Sequence, residues 1–277
     1  MPWRAAPSTL ALTMKVVLTI AGSDPCGGAG LQGDLKTLAA FGVFGAAVPT
    51  LLTVQDTRGV RRVEVLDPDL VAQQLRAVLD DLPVAAVKTG ALGNAAVVAA
   101  VAEILAAWPH LPLVVDPVLG ASAGRDLSGA DAVAALRDQL LPRTLLLTPN
   151  LPEASRLLGR PITELAHMAA AAADLAALGP SAVLLKGGHL VGDELVDLLH
   201  INGEAIVLPG QRLHVGPTHG TGCALSAAIT ALLAQGVGLE GACQQGISWL
   251  RGAMAHGLSL GQGQRLLHHG WRAGRGS

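Results

Sequence analysis

Short apolar runs alternate along almost the whole chain with longer stretches whose apolar positions recur every three or four residues. A run of four to eight apolar residues between turn signals reads as a buried strand, and the longer periodic stretches read as amphipathic helices. On this basis strands are predicted at 15–20, 47–54, 85–88, 113–116, 145–148 and 182–186. Residues 61–66 alternate apolar and polar, as an exposed or edge strand should. Helices are predicted at 30–41, 67–80, 95–108, 130–140, 152–158, 164–178, 222–235 and 239–258. Asp67-Pro68 opens one of them with proline where its missing N–H costs nothing. Asn202-Gly203 between the runs 195–201 and 205–208 is the strongest two-residue hairpin signal. Strands separated by helices of this length require crossover connections, so the prediction is one α/β domain with a central, mainly parallel sheet flanked by helices on both faces.

Composition narrows the picture. Of 277 residues, 51% are hydrophobic, yet Tyr is absent and Phe occurs twice, so the core is packed from Ala, Leu and Val. A formal net charge of -2 and the lack of any Lys/Arg-rich run provide no electrostatic footprint for nucleic acid. The uncharged stretch 215–239 carries Gly, Ser, Thr, His and Gln throughout, and reads as a buried helix with its loop rather than a membrane span. Three cysteines far apart, Cys26, Cys223 and Cys243, form no CxxC pair and fit a reducing compartment. Residues 1–14 lack the apolar core of a secretory signal and read as a disordered extension, with Met14 an alternative start. Residues 15–260 form the domain, and 261–277 a flexible polar tail. The tail's His268-His269 pair reads as inert rather than metal-binding.

Five polar or glycine-rich clusters fall at predicted strand carboxyl ends, where open α/β sheets bind ligands. Gly22-Ser23-Asp24-Pro25-Cys26-Gly27-Gly28-Ala29-Gly30 matches neither GxGxxG nor the Walker spacing. It is either a plain turn or a loop that lets backbone approach a ligand, with Asp24 placed to orient it. Thr218-His219-Gly220-Thr221-Gly222-Cys223 opens a helix whose free N–H groups and dipole would suit an anion. Cys223 in the first turn is expected to have its thiol lowered toward the thiolate. Asn150 and Glu153 at a helix start form either a capping box or part of a metal–phosphate site. Asp116 and Lys186 each end a strand, Lys186 as a point charge suited to phosphate.

In this order, the segments LTIAGSDPCGGAGLQGDLKTLAAFG, VQDTRGV, KTGALG, VVDPV, LLTPNLPEA, VLLKGGH and THGTGCALSAA resemble the hydroxymethylpyrimidine/phosphomethylpyrimidine kinases of thiamine biosynthesis, a ribokinase-like group. The resemblance spans about 15–260. It implies phosphorylation of 4-amino-5-hydroxymethyl-2-methylpyrimidine and of its monophosphate, with ATP as donor and Mg2+ as cofactor, in a cytoplasmic homodimer. By position it implies that Gly22, Asp24, Gln55, Val118 and Cys223 line the pyrimidine pocket. The backbone of Gly220, Thr221, Gly222 and Cys223 would form an anion hole with Cys223 as base. Asp116 and Glu153 would hold magnesium, while Asn150, Lys186 and Gly187 would serve the nucleotide. Four features depart from the group's usual pattern: Ser122-Ala123-Gly124 in the flap, Pro217 before THGTGC, Ala91 beside the pyrimidine, and a tail without the common HGP ending. Pyridoxal kinase activity, exclusive or additional, is the nearest alternative. A non-catalytic ligand-binding protein is disfavoured by the retention of Gly220, Gly222 and Cys223.

Overall fold

The computed structural model describes residues 14–120, 129–188 and 194–272; the expected N-terminal extension up to 13 and the Ser122-Ala123-Gly124 flap lie outside them. β1 (Val16–Ser23) is followed by α1 (Gly30–Ala40), the hairpin β2 (Phe44–Asp56) and β3 (Gly59–Val65), and α2 (Pro68–Asp81). Then come β4 (Val84–Thr89), α3 (Ala95–Ala106), β5 (Leu113–Val115), α4 (Ala130–Ala135) and β6 (Leu146–Leu147). α5 (Leu151–Leu158), α6 (Met168–Ala176) and β7 (Ala182–Leu185) precede a second hairpin, β8 (Glu194–Ile201) and β9 (Glu204–Gln211). The chain closes with β10 (Thr218–His219), α7 (Thr221–Ala234), α8 (Leu239–Ala255) and β11 (Arg265–Leu266).

Nine strands form one sheet in the order β3-β2-β1-β4-β5-β6-β7-β8-β9. The inner strands are parallel and each edge is an antiparallel hairpin. β8 and β9 pair from Ile201–Glu204 outward around Asn202 (φ 53°) and Gly203 (φ 81°). That is the predicted hairpin, with the positive φ angles a tight type I′ turn demands.

Strand alternation divides the core. Val16, Leu18 and Ile20 point into the layer formed by α2 to α6, whereas Val17 meets α1 and α7 on the other face. Further along the sheet Val114, Leu146 and Leu184 pack on α7 and α8. β1 has β2 on one side and β4 on the other, so the chain reverses direction across the sheet there. Such a switch point opens a crevice beyond the strand ends.

The tail departs from expectation. Residues from 261 are predicted to fray, but β11 pairs with β10 in parallel and exchanges backbone hydrogen bonds of 2.7 and 2.8 Å with Leu258. Leu267 is buried, and Trp271 stacks on His256 with ring centroids 5.3 Å apart. Gly252 on α8 makes room for that indole, since a Cβ there would collide with it. Two-residue strands and one docked indole carry no hydrophobic period, so nothing in the local pattern announces them. Chain deletion from 264 onward should lower urea-derived stability by about 2–5 kcal/mol, the cost of removing large apolar side chains from a packed site. Unchanged stability would mean the segment merely lies on the surface.

Candidate active site

The site is assembled where the loop after β1 meets the start of α7. Gly30 (φ 54°) begins α1, and a Cβ there would collide with the carbonyl oxygen of Gly22. Gly220 (φ 79°) begins α7, and a Cβ there would collide with the carbonyl oxygen of Gly28. Both positions combine a left-handed backbone with contact between two main chains, so glycine alone fits. The result directs the first N–H groups of α7, which have no intrahelical acceptor, at the end of the sheet.

Asp24 organises the loop that approaches it. One carboxylate oxygen accepts from the N–H groups of Gly28 (3.1 Å) and Ala29 (2.8 Å) and lies 2.9 Å from His219 Nε2. The other accepts from Cys26 N–H at 3.0 Å. Burial opposes the charge of Asp24, but bonds from His219, Cys26 and Ala29 outweigh it and hold the carboxyl below its usual range. Gln55, on β2, reaches the same imidazole with its amide nitrogen 2.9 Å from His219 Nε2. A link between strand β2 and the α7 loop therefore runs through His219.

A second group lies at the ends of β5, β6 and β7. Asp116 is buried, 3.2 Å from both Lys186 Nζ and Thr148 Oγ1, and accepts from Ser226 Oγ at 3.4 Å. Asn150 and Glu153 form the capping box of α5, with reciprocal bonds of 2.9 and 2.8 Å. Burial raises the Glu153 carboxyl to about 7, Lys186 opposing and Asp116 assisting. Burial works against the Lys186 charge, yet Asp116 and Glu153 hold the ammonium above its usual range.

Beneath the start of α7 lies a buried ion pair, Lys88 Nζ to Asp34 at 2.6 Å, with Thr19 Oγ1 donating to the same oxygen at 2.6 Å. Asp34 keeps the Lys88 ammonium above its usual range despite complete burial. The expected lowering of the Cys223 thiol does not occur. Burial, aided by Asp34 and Asp116, pushes it up to about 11, against the pull of Lys88 and a bond from Gly30 N–H. A helix N-terminus lowers a thiol only where neighbouring carboxylates and desolvation do not dominate.

The loop after β1, the start of α7 and the ends of β5, β6 and β7 open into one cavity of about 910 Å³, with the Lys88–Asp34 pair buried outside its lining. Gly22, Asp24, Gln55, Val118, Asp116, Asn150, Glu153, Lys186 and the run from Gly220 to Cys223 all line it. Gly187 does not: its N–H is bound to Asp197 at 2.9 Å, and Gly188 faces the cavity instead. Lys88, Asp34 and the bridging role of His219 were missed from the sequence. The available signal for the pair was a lysine inside an apolar strand, which needs a buried counter-charge. Arg156, Arg212 and Arg251 also line the cavity. With Lys186 they bring four basic side chains to a lining that also carries Asp116, Glu153 and Asp197, a mixture suited to a polyanionic ligand bound with a cation.

Residues 24–268 match the family model for phosphomethylpyrimidine kinase. The chain belongs to that family. A hydroxymethylpyrimidine/phosphomethylpyrimidine kinase of Rhizobium meliloti is 46% identical over 257 residues, 92% of this chain and 96% of the relative. Among solved structures, an ADP complex of Bacillus subtilis pyridoxal kinase superposes with a TM-score of 0.87 at 33% identity, covering 94% of this chain and 99% of that one. Phosphomethylpyrimidine kinase from Clostridium difficile gives 0.76 at 36% identity, over 86% and 98%. The phosphomethylpyrimidine kinase family is one of ATP-dependent phosphotransferases, and a nine-stranded mixed sheet between helical layers is the fold this member shares with those structures.

In this family member, Lys88→Met should cost about 3–5 kcal/mol in urea denaturation, because Asp34 is left buried and unpaired. Replacing Asp34 by Leu as well should recover most of the loss. A single variant as stable as the parent would show that the pair carries no buried charge.

Proposed function

We propose that this cavity transfers the γ-phosphoryl group of ATP to the hydroxymethyl oxygen of 4-amino-5-hydroxymethyl-2-methylpyrimidine, and then phosphorylates the resulting monophosphate. The observation that supports this most strongly is the meeting of two unlike ends in one cavity. One end carries Gly22, Gln55 and Val118 around an amide-bearing pocket, the other Lys186, Arg212 and Arg251. The free N–H groups at the start of α7 lie between them.

Gln55 reads the amino and ring-nitrogen edge of the pyrimidine with its amide. The N–H groups of Gly220 to Cys223 hold the oxygens of the moving phosphoryl group, where charge is spread in the transition state. Lys186 and Asn150 bind the donor phosphates. Asp116 and Glu153 fit a hard divalent cation: they are carboxylates close enough that Asp116 helps keep a proton on Glu153. A magnesium ion held by them, with water filling most of its shell, would neutralise phosphate charge. Cys223 takes the hydroxyl proton, which leaves late in a loose transition state. Lys88, beneath it, is the charge that favours the thiolate.

The homodimer is read onto the β2–β3 hairpin, where Leu52 and Val54 are 47% and 50% exposed. A cytoplasmic setting is supported by three unpaired cysteines. No helix among the described residues is long and apolar enough to cross a membrane.

Mass spectrometry of products from ATP and Mg2+ is expected to show mono- and then diphosphate from the pyrimidine. Turnover of pyridoxal alone would overturn the reading. A second outcome follows from the thiol near 11. If its deprotonated form is the base, kcat/KM rises with pH across roughly pH 6–9 without a plateau, since this parameter reports the free enzyme's groups. Cys223→Ala should lose about 10²–10³ in kcat together with that rise. A flat profile in the parent enzyme would remove Cys223 as the base.

A further inference from the structure

His219 Nε2 is held in conflict. It lies 2.9 Å from the amide nitrogen of Gln55 and 2.9 Å from Asp24 Oδ2. Protonated, Nε2 suits Asp24 but opposes the Gln55 N–H. Deprotonated, it accepts from Gln55 and sets a lone pair against the carboxylate. Turning the amide over leaves one N–H shared between two oxygens. Asp24 Oδ2 is itself crowded, accepting from Gly28 N, Ala29 N and Cys26 Sγ–H (3.3 Å) besides facing His219. A cation placed among these groups would use the imidazole lone pair and the carboxylate together.

The ligand atoms of Asp24, Cys26 and His219 lie within 4.8 Å of one another. A tetrahedral zinc with bonds of about 2.0–2.3 Å separates its ligands by about 3.3–3.7 Å. The observed separations of 2.9 Å (Nε2 to Oδ2) and 3.3 Å (Sγ to Oδ2) are therefore close to what the ion needs. Sulfur, imidazole and carboxylate select zinc and cobalt over magnesium, which prefers oxygen alone. Two ligands, Asp24 and His219, come from a buried and hydrogen-bonded frame, and both line the cavity. Cys26 is half-buried on the loop, reachable from solvent.

We propose that Asp24, Cys26 and His219 form a site for a thiophilic divalent cation, Zn2+ in type, and that filling it blocks the pyrimidine end of the cavity. On binding, the Zn–S bond forms as the thiol proton passes to solvent, and His219 contributes its Nε2 lone pair. Gln55 thereby loses its imidazole partner and the loop from Gly22 to Gly30 is drawn toward the ion. Metal binding stands on its own; only the blocking effect rests on the pyrimidine reading above.

The test uses the full chain, stripped of metal and free of thiol reductant. Titration with Co2+ alone should produce a thiolate-to-cobalt absorption band with a stoichiometry near one. Cys26→Ser should abolish the band, and Cys223→Ser should retain it. In kinase assays with excess Mg2+ and ATP, Zn2+ should raise KM for the pyrimidine while leaving KM for ATP unchanged. Cys26→Ser should weaken that effect at least about tenfold, since changes to groups that merely support a metal's ligands already cost about 10–100-fold in affinity. No band in the parent chain, or a band that survives Cys26→Ser but not Cys223→Ser, would overturn the site. Zn2+ inhibition undiminished in Cys26→Ser would overturn the blocking role. Because the cobalt band needs no turnover, an inactive kinase and an absent metal site give different results.

Discussion

Two main chains from opposite ends of the sequence touch at Gly28 and Gly220, and the site depends on that contact. Any Cβ at Gly220 would enter the space of the Gly28 carbonyl, and Gly30 stands in the same relation to Gly22. With two glycines at left-handed angles, the loop after β1 and the first turn of α7 close on each other. The pocket for a heterocycle and the anion hole become two sides of one seam. A methyl group at Gly220 would push α7 off the loop, and one at Gly30 would distort the loop itself against Gly22. This explains why the glycines matter more than their helix-breaking tendency costs.

Charge along the seam alternates. Asp34 faces Lys88, and Asp116 faces Lys186 with Glu153 beside it. Counting only these groups, carboxylates exceed ammonium groups by one. The excess is accommodated by a proton, which Glu153 keeps to about pH 7. Cys223 sits over the same array and is pushed toward the thiol for the same reason, burial with net negative company. One cause thus holds the protons of two groups. Added positive charge from a cation at Asp116 and Glu153 would act on both in the same direction.

Much of this was legible in the chain. The strand ends carrying Asp24, Asp116, Asn150 and Lys186 follow from apolar runs that stop at polar residues, and the topology gathers them because parallel strands end on the same side. Asn202-Gly203 and Asp67-Pro68 specify their turn and helix start locally. The capping box at Asn150 was legible too, as one of two alternatives, and the structure shows the box formed at the edge of the cavity. Three things were not legible. The partner of Lys88 is 54 residues away, the pairing of β10 with β11 spans two residues without a period, and the protonation of Cys223 depends on neighbours from α1 and the end of β5. Each is a tertiary matter in which a local rule, such as the helix N-terminus lowering a thiol, is overruled by what is packed against it.

The same long range governs when the site can exist. β1 and α1 supply one wall, while β10, α7 and β11 supply the other, with Leu266 and His219 both packed against Gly28. α7 packs directly against α1, β1 and β4, so the seam joins segments far apart in the sequence. Contacts of such separation are entropically costly to close and reward the chain only once formed. Their stability must therefore come from burial of α7 and α8 on the sheet rather than from the polar seam. The polar groups are then free to be arranged for ligand binding, including the conflict around His219 that a self-contained core would not retain.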